Sequence, residues 1–159
     1  MDQLTPARVF GAALALPQLL IGLWAVLGPR SFYDDFPGLG PALVAAAPPY
    51  NPHLTTDAGA GFLATGGLLL GVCVWAGAAE IRVAAIGYLL FCTPHVLWHA
   101  THPSALLDAG TDVLNVVLIG AQVAGAVTLI VMCGRAGRSA GRSAGRSGGP
   151  LAGVDGRAG

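Results

Sequence analysis

Four long apolar segments fill the first 134 residues of this chain and constrain its fold more than any other feature. They run from Val9 to Gly28, Ala58 to Ala78, Val83 to His102 and Asp112 to Gly134. About 20 apolar residues in a helix cross the roughly 30 Å hydrocarbon core of a bilayer. Hydrophobic residues make up 54% of the chain and charged residues 10%. A soluble protein could not bury all of these apolar side chains in its core. The sequence therefore predicts an all-α, polytopic membrane protein, a four-transmembrane-helix bundle.

The arginines predict how this bundle is oriented. Arg8, Arg82 and every arginine after residue 134 fall on one side of a four-helix path, and the connection between the third and fourth predicted helices has none. Positive residues concentrate on the cytoplasmic side of membrane proteins. We therefore expect a multi-pass protein of the cell inner (plasma) membrane with both termini cytoplasmic. Thr5 and Pro6 favour a helix start, so the first segment is expected to stay as a membrane helix rather than act as a signal peptide.

Two segments outside the predicted helices differ from each other in composition. The long first extracytoplasmic loop, residues 29–57, holds six prolines and several aromatic residues, and we expect it to cap the bundle, with a short helix over residues 40–47. Residues 135–159 form a Gly/Arg/Ser repeat with little to bury, so a disordered C-terminal tail is predicted there. The predicted organisation is a transmembrane domain over 1–134 and a cytoplasmic tail over 135–159.

Ionisable and polar residues collect at the outer ends of the predicted helices. His95, His99 and His102 recur at positions i, i+4 and i+7, which places the three imidazoles on one helix face within about 60°. A second stripe follows on the fourth predicted helix, made of Asp108, Asp112, Asn115 and Gln122. Such side chains are costly in lipid unless they face the protein interior and find partners. The pattern predicts a His/Asp pocket that faces outward.

Three uses of this pocket follow from the residue types. Paired imidazoles with carboxylates can bind a small ligand or exchange protons beside it, and the candidate ligand-binding residues are His95, His99, Asp57, Asp112 and Asn115. Histidines spaced by four can also hold a divalent metal ion, for which the candidates are His95, His99, His102 and His53. Structural pairing is the third interpretation, with Asp57 and Asp112 as helix N-caps.

The chain resembles known proteins in its organisation and in short strings of residues. The four helices, the long first outer loop and the polar outer helix ends resemble the DoxX-like small bacterial membrane proteins, over roughly residues 8–134. Phe32 to Pro37, Pro49 to His53, and Pro94 with the histidines that follow it resemble more closely a set of actinobacterial four-helix proteins. The resemblance implies a four-helix fold and a membrane location rather than a reaction, because the group spans accessory subunits of respiratory or thiol-redox systems. The three cysteines show no CxxC spacing, which disfavours disulfide relay.

The sequence is compatible with three functions and does not decide whether the protein is an enzyme. An accessory or ligand- or metal-binding membrane component is the favoured function. A membrane oxidoreductase subunit that acts on a quinone or small reductant is one alternative, and a structural interaction partner in a membrane complex is another. The expected partners are the lipid bilayer and other membrane proteins, and nucleic acid is not among them.

Overall fold

The structure is a computed structural model that describes residues 4–147, with side chains described through residue 139. Over that part the chain is helical, in five helices: α1 (Thr5–Leu27), α2 (Pro29–Asp35), α3 (Pro52–Trp75), α4 (Ala78–Thr101) and α5 (Ala109–Ser147). All except α2 are long and apolar enough to cross a membrane. The predicted fold class is confirmed: the protein is an all-α, multi-pass membrane bundle.

Helices α1 and α3 form a closely packed antiparallel pair because glycines lie between them. A Cβ atom on Gly22 would come within 2.7 Å of the carbonyl oxygen of Gly59, and one on Gly66 within 2.9 Å of the Cβ of Gln18. Helices in lipid commonly associate through small residues that let their backbones approach closely. The hydrophobic effect does not favour helix association there, because lipid is as apolar as the helix surface. The two helices therefore pack as one rigid unit along most of their length.

Helices α4 and α5 form the second antiparallel pair, and the two pairs meet mainly at one end of the bundle. There, Gly11 of α1 packs against Leu129 of α5, and the core includes Leu69, Ile81 and Leu129, which are fully buried. We call this the terminal end. At the other end, here called the loop end, α1 passes into α2, α3 begins, and residues 102–108 connect α4 to α5.

Several helix boundaries differ from those predicted. α3 begins at Pro52 rather than near residue 58, because the Asn51 side chain caps it by accepting from the Leu54 N–H. The short helix in the first loop is α2 at residues 29–35, where Pro29 occupies the first turn, and residues 40–47 form turns. α5 continues through Ser147 into the segment predicted to be disordered, and residues 148–159 of that segment lie outside the described residues.

Gly67 and Gly71 of α3 have the GxxxG spacing that is typical of closely packed helices. Neither of them contacts another helix. An added Cβ at Gly67 would meet nothing within 4 Å, whereas Gly59 and Gly66 of the same helix lie against α1. Gly67 and Gly71 therefore lie on a different face of α3 from the packed one.

Candidate functional site

A cavity of about 550 Å³ lies between the two helix pairs at the loop end. Residues of all five helices and of the segment between α2 and α3 line it. Most of the buried core lies toward the terminal end, and on the cavity side the pairs meet where Phe62 of α3 packs against Phe91 of α4 at 5.1 Å. A pocket of this size in a helix bundle is in the range of small-molecule sites.

The polar groups of the cavity wall come from α4 and α5. His95 and His99 lie one helical turn apart with ring centroids separated by 5.0 Å, and Asn115 of α5 places its Nδ2 3.4 Å from His99 Nδ1. His95 also packs against the Phe62 ring at 6.0 Å, and among the described residues it has no hydrogen-bond partner. Its ring nitrogens are thus available to a molecule in the cavity.

The floor of the cavity, made of Gln18, Cys92 and Gln122, joins three helices. Gln18 is 1% exposed, and its Nε2 donates to Gln122 Oε1 at 2.8 Å and to Cys92 Sγ at 3.3 Å. The Tyr88 hydroxyl, directly below, lies in hydrogen-bonding range of Gln122 Oε1 and of the Leu14 carbonyl. Buried polar groups are stable in lipid when they bond one another, so this network holds the two pairs together beneath the cavity.

The roof of the cavity consists of α2 and residues 36–51. Trp24 of α1 contacts the rings of Phe32 and Phe36 edge-on, at centroid distances of 5.9 and 6.0 Å. Tyr33 and Tyr50 pack at 5.0 Å, and the Arg30 guanidinium lies 5.0 Å from the Tyr50 ring. These contacts attach the roof to α1 and close the segment on itself, as expected of a capping loop.

A hydrogen bond ties the roof to the other helix pair. Ser104, in the connection between α4 and α5, donates through its hydroxyl to the Ala46 carbonyl at 2.9 Å. The same connection is fixed by Asp112, whose Oδ2 accepts from the Ser104 N–H at 3.0 Å. The roof is therefore held on both sides of the cavity.

Asp108 caps α5 rather than taking part in the site. Its carboxylate accepts from the Thr111 hydroxyl and from the Thr111 N–H at 3.0 Å. The hydroxyl hydrogen bond first, and then the backbone one, lower the pKa of Asp108 below its ordinary value. Asp108 and Asn51 are the N-caps of α5 and α3, the roles that the sequence suggested for Asp112 and Asp57.

The predicted site residues divide into two sets. His95, His99 and Asn115 line the cavity. Asp57 and His53 do not, because they lie one turn apart on an exposed face of α3 and pair with each other at 3.4 Å. Asp112 does not line the cavity and is turned toward Ser104. His102 stacks on Trp98 at 3.7 Å and is exposed.

The four histidines proposed as metal ligands are not brought together. His95 and His99 are adjacent, whereas the rings of His53 and His102 are each occupied with a different neighbour. Within the described part of the chain, no group of three or more His, Cys, Asp or Glu side chains is arranged to hold a metal ion. Two imidazoles alone fall short of the three or four protein ligands that zinc sites use.

The side chains that line the cavity carry no permanent charge. They comprise aromatic and aliphatic residues, two histidines, and the uncharged polar residues Gln18, Asn51, Thr55, Asn115 and Gln122, together with Cys92 and Tyr33. A charged ligand would lose its hydration there without gaining an opposite charge. The cavity is therefore suited to a neutral molecule.

Sequence reasoning missed Gln18 and Tyr88. The signal for Gln18 is present in the sequence, because it is the sole polar side chain between Arg8 and the end of the first apolar segment, and such a residue must face inward. Tyr88 gives no comparable signal, since a tyrosine in an apolar helix also suits the headgroup layer.

Comparison with known proteins gave no match to a family model, a curated protein or a solved structure. The fold and the cavity define the class of this protein, a multi-pass helical membrane protein with an uncharged pocket between two helix pairs.

Proposed function

We propose that this protein is a ligand-binding component of the bacterial plasma membrane, and that its ligand occupies the cavity between the helix pairs. The observation that carries the proposal is the lining: about 550 Å³ of largely apolar space with His95, His99 and Asn115 on one wall. Ligand sites commonly combine an apolar surface with a few converging polar groups that orient the ligand. A floor and a roof that are both anchored by hydrogen bonds support a preformed site.

The proposed orientation places the roof on the outer side and both termini in the cytoplasm. Arg8 and Arg82 lie at the terminal end, and Arg135 and Arg138 follow on α5, whereas the loop end carries Arg30 beside Asp34 and Asp35. This distribution supports the orientation through the positive-inside rule. Membership of the DoxX-like group stays a prediction from the resemblance described above. Docking of other membrane proteins stays one too, and crosslinking in native membranes tests it.

Analysis of what copurifies with the protein tests the proposal. We expect an organic extract of purified wild-type protein to contain a small neutral compound that is depleted from His95→Ala. The control is Leu97→Ala, which alters an exposed, lipid-facing side chain two positions along the same helix. Readdition of the compound should raise the melting temperature of wild-type protein more than that of His95→Ala. Equal extracts from all three proteins, with no compound that stabilises the wild type, would contradict the proposal.

A membrane oxidoreductase subunit is the second candidate. The observation that favours it is the pair of adjacent imidazoles, His95 and His99, which face an apolar space where a quinone ring could exchange protons with them. If the extracted compound is a quinone, its ultraviolet absorbance will change on reduction with borohydride. An extract whose absorbance does not respond would argue against this candidate while leaving the binding function intact.

A further inference from the structure

Some of the side chains that line the cavity also face the outside of the bundle. Three large apolar side chains line the cavity and are also largely exposed on the outside of the bundle: Leu54 at 63%, Trp98 at 61% and Leu118 at 57%. A residue that faces both ways lies at the rim of an opening. Two of the three, Leu54 and Trp98, sit in the terminal turns of their helices, at the level of the roof.

Leu118 differs from the other two in depth. It lies nine residues after Ala109, the first residue of α5, and hence about 13 Å along the helix axis. That depth is within the hydrocarbon layer that α5 crosses. Gln18 of α1 donates to Gln122 of α5, and Ile21 and Leu118 lie about one helical turn nearer the loop end on the same two helices. Both line the cavity, so the opening at Leu118 lies beside α1, just above that floor.

The roof, which lies between the cavity and the water, is fixed in place by specific contacts. The roof is held by the ring contacts of Trp24 with Phe32 and Phe36, and by the hydrogen bond from Ser104 to Ala46. No comparable polar contact bridges α1 and α5 at the level of Ile21 and Leu118 among the described residues. The first such contact is Gln18 with Gln122, below the opening.

We propose that the ligand is an uncharged molecule dissolved in the bilayer, which enters sideways past Leu118. Its hydrogen-bonding head lies against His95, His99 and Asn115, and an apolar portion occupies the opening. This inference rests on the proposed ligand-binding function and adds the chemical class of the ligand and its path. The charge-free lining and the position of Leu118 carry it together.

Photocrosslinking in lipid nanodiscs tests the path and the class at once. The probes are benzophenone, which is neutral and partitions into lipid, and 4-benzoylbenzoate, which has the same ring system with a carboxylate. Crosslinked residues are located by mass spectrometry, and attachment to the cavity residues Phe62 and Ile119 reports entry. We expect benzophenone to label these residues and 4-benzoylbenzoate to label them several-fold less.

Variants at the opening make the test specific. Leu118→Trp should reduce cavity labelling by benzophenone several-fold, and Leu118→Ala should maintain or increase it. Leu114→Trp is the matched control, because Leu114 is equally exposed at 57% on the same helix, one turn away, and does not line the cavity. It should leave cavity labelling unchanged.

Each other outcome overturns the inference. Equal cavity labelling in Leu118→Trp and Leu114→Trp would refute the side path, and equal labelling by both probes would refute the uncharged class. Absence of cavity labelling even in Leu118→Ala would refute both. The extraction experiment decides the binding function separately, since a copurified compound lost in His95→Ala would stand whatever path it takes.

Discussion

The contact between α1 and α3 and the space between the two helix pairs show opposite solutions to packing in lipid. In the first, Gly22 and Gly59 bring two backbones so close that a single methyl group would not fit. In the second, the helix pairs leave a cavity of about 550 Å³ between them at the loop end. Apolar surface in a bilayer gains little by leaving lipid, so no strong force closes such a space. The comparison teaches that a bundle of closely packed helix pairs can retain a cavity between the pairs.

The largest expected effect comes from filling the α1–α3 contact. Gly22→Leu should lower the free energy of unfolding by about 3 kcal/mol, because its side chain would collide with the backbone of Gly59 and Leu63. Gly67→Leu, which meets open space on α3, is the control and should be neutral. Reversible unfolding in mixed micelles measures both. Equal stability of the two variants would break the comparison.

The next effect concerns the polar network below the cavity. Tyr88→Phe removes the hydroxyl that lies against Gln122 and Leu14 while keeping the ring, and should cost about 1 kcal/mol. Tyr50→Phe is the matched control, because the contacts of Tyr50 within the described residues are made by its ring. The same unfolding assay applies. A larger loss from Tyr50→Phe would mean that the roof, not the floor, holds the pairs together.

Adding volume inside the cavity should have almost no effect on stability. Ala58 lines the cavity on α3 and is itself exposed, so Ala58→Leu should change the free energy of unfolding by less than about 0.5 kcal/mol, since the new side chain meets no packed neighbours. The contrast with Gly22→Leu sharpens the comparison, because both add a leucine side chain. Loss of several kcal/mol in Ala58→Leu would show that the space is already filled by packed side chains.

The smallest effect is expected at the start of α5 and depends on pH. Because the folded-state pKa of Asp108 is lowered, its contribution to stability is present above its unfolded pKa and is lost as pH falls through the folded value. Asp108→Asn keeps a capping oxygen without the charge, so it should be slightly less stable than wild type near neutral pH and lack this part of the acid-induced loss. Melting temperatures across the acidic range measure it. Parallel pH profiles for the two proteins would contradict the expectation.

The sequence predicted the parts of this molecule that depend on hydropathy and helical period. The four spanning helices follow from the apolar segments, and the placement of His95, His99 and Asn115 on the cavity follows from their spacing. Pairing between helices was not predictable in the same way. Many glycines fit a small-residue motif, and which of them contact a partner depends on the rotation of each helix, as Gly67 demonstrates.

Asp57 and Asp112 lie outside the cavity lining for a local reason. Both carboxylates were assigned to the pocket because they lie near the predicted helix starts, yet α3 starts six residues earlier than predicted, at Pro52. Asp57 is consequently on an exposed turn with His53, and Asp112 bonds Ser104. A cap such as Asn51 can be identified only when the true first turn is known, and helix boundaries are the least certain part of a sequence-based prediction.

The floor formed by Gln18, Cys92 and Gln122 has an electrical consequence. A bundle that is hollow across part of the hydrocarbon layer could provide ions with a shortened path, yet here the hollow ends on three uncharged side chains joined by hydrogen bonds. Ions entering the hollow would find neither an opposite charge nor a continuous column of water beyond it. The membrane can thus retain its voltage although this protein has a cavity within the hydrocarbon layer.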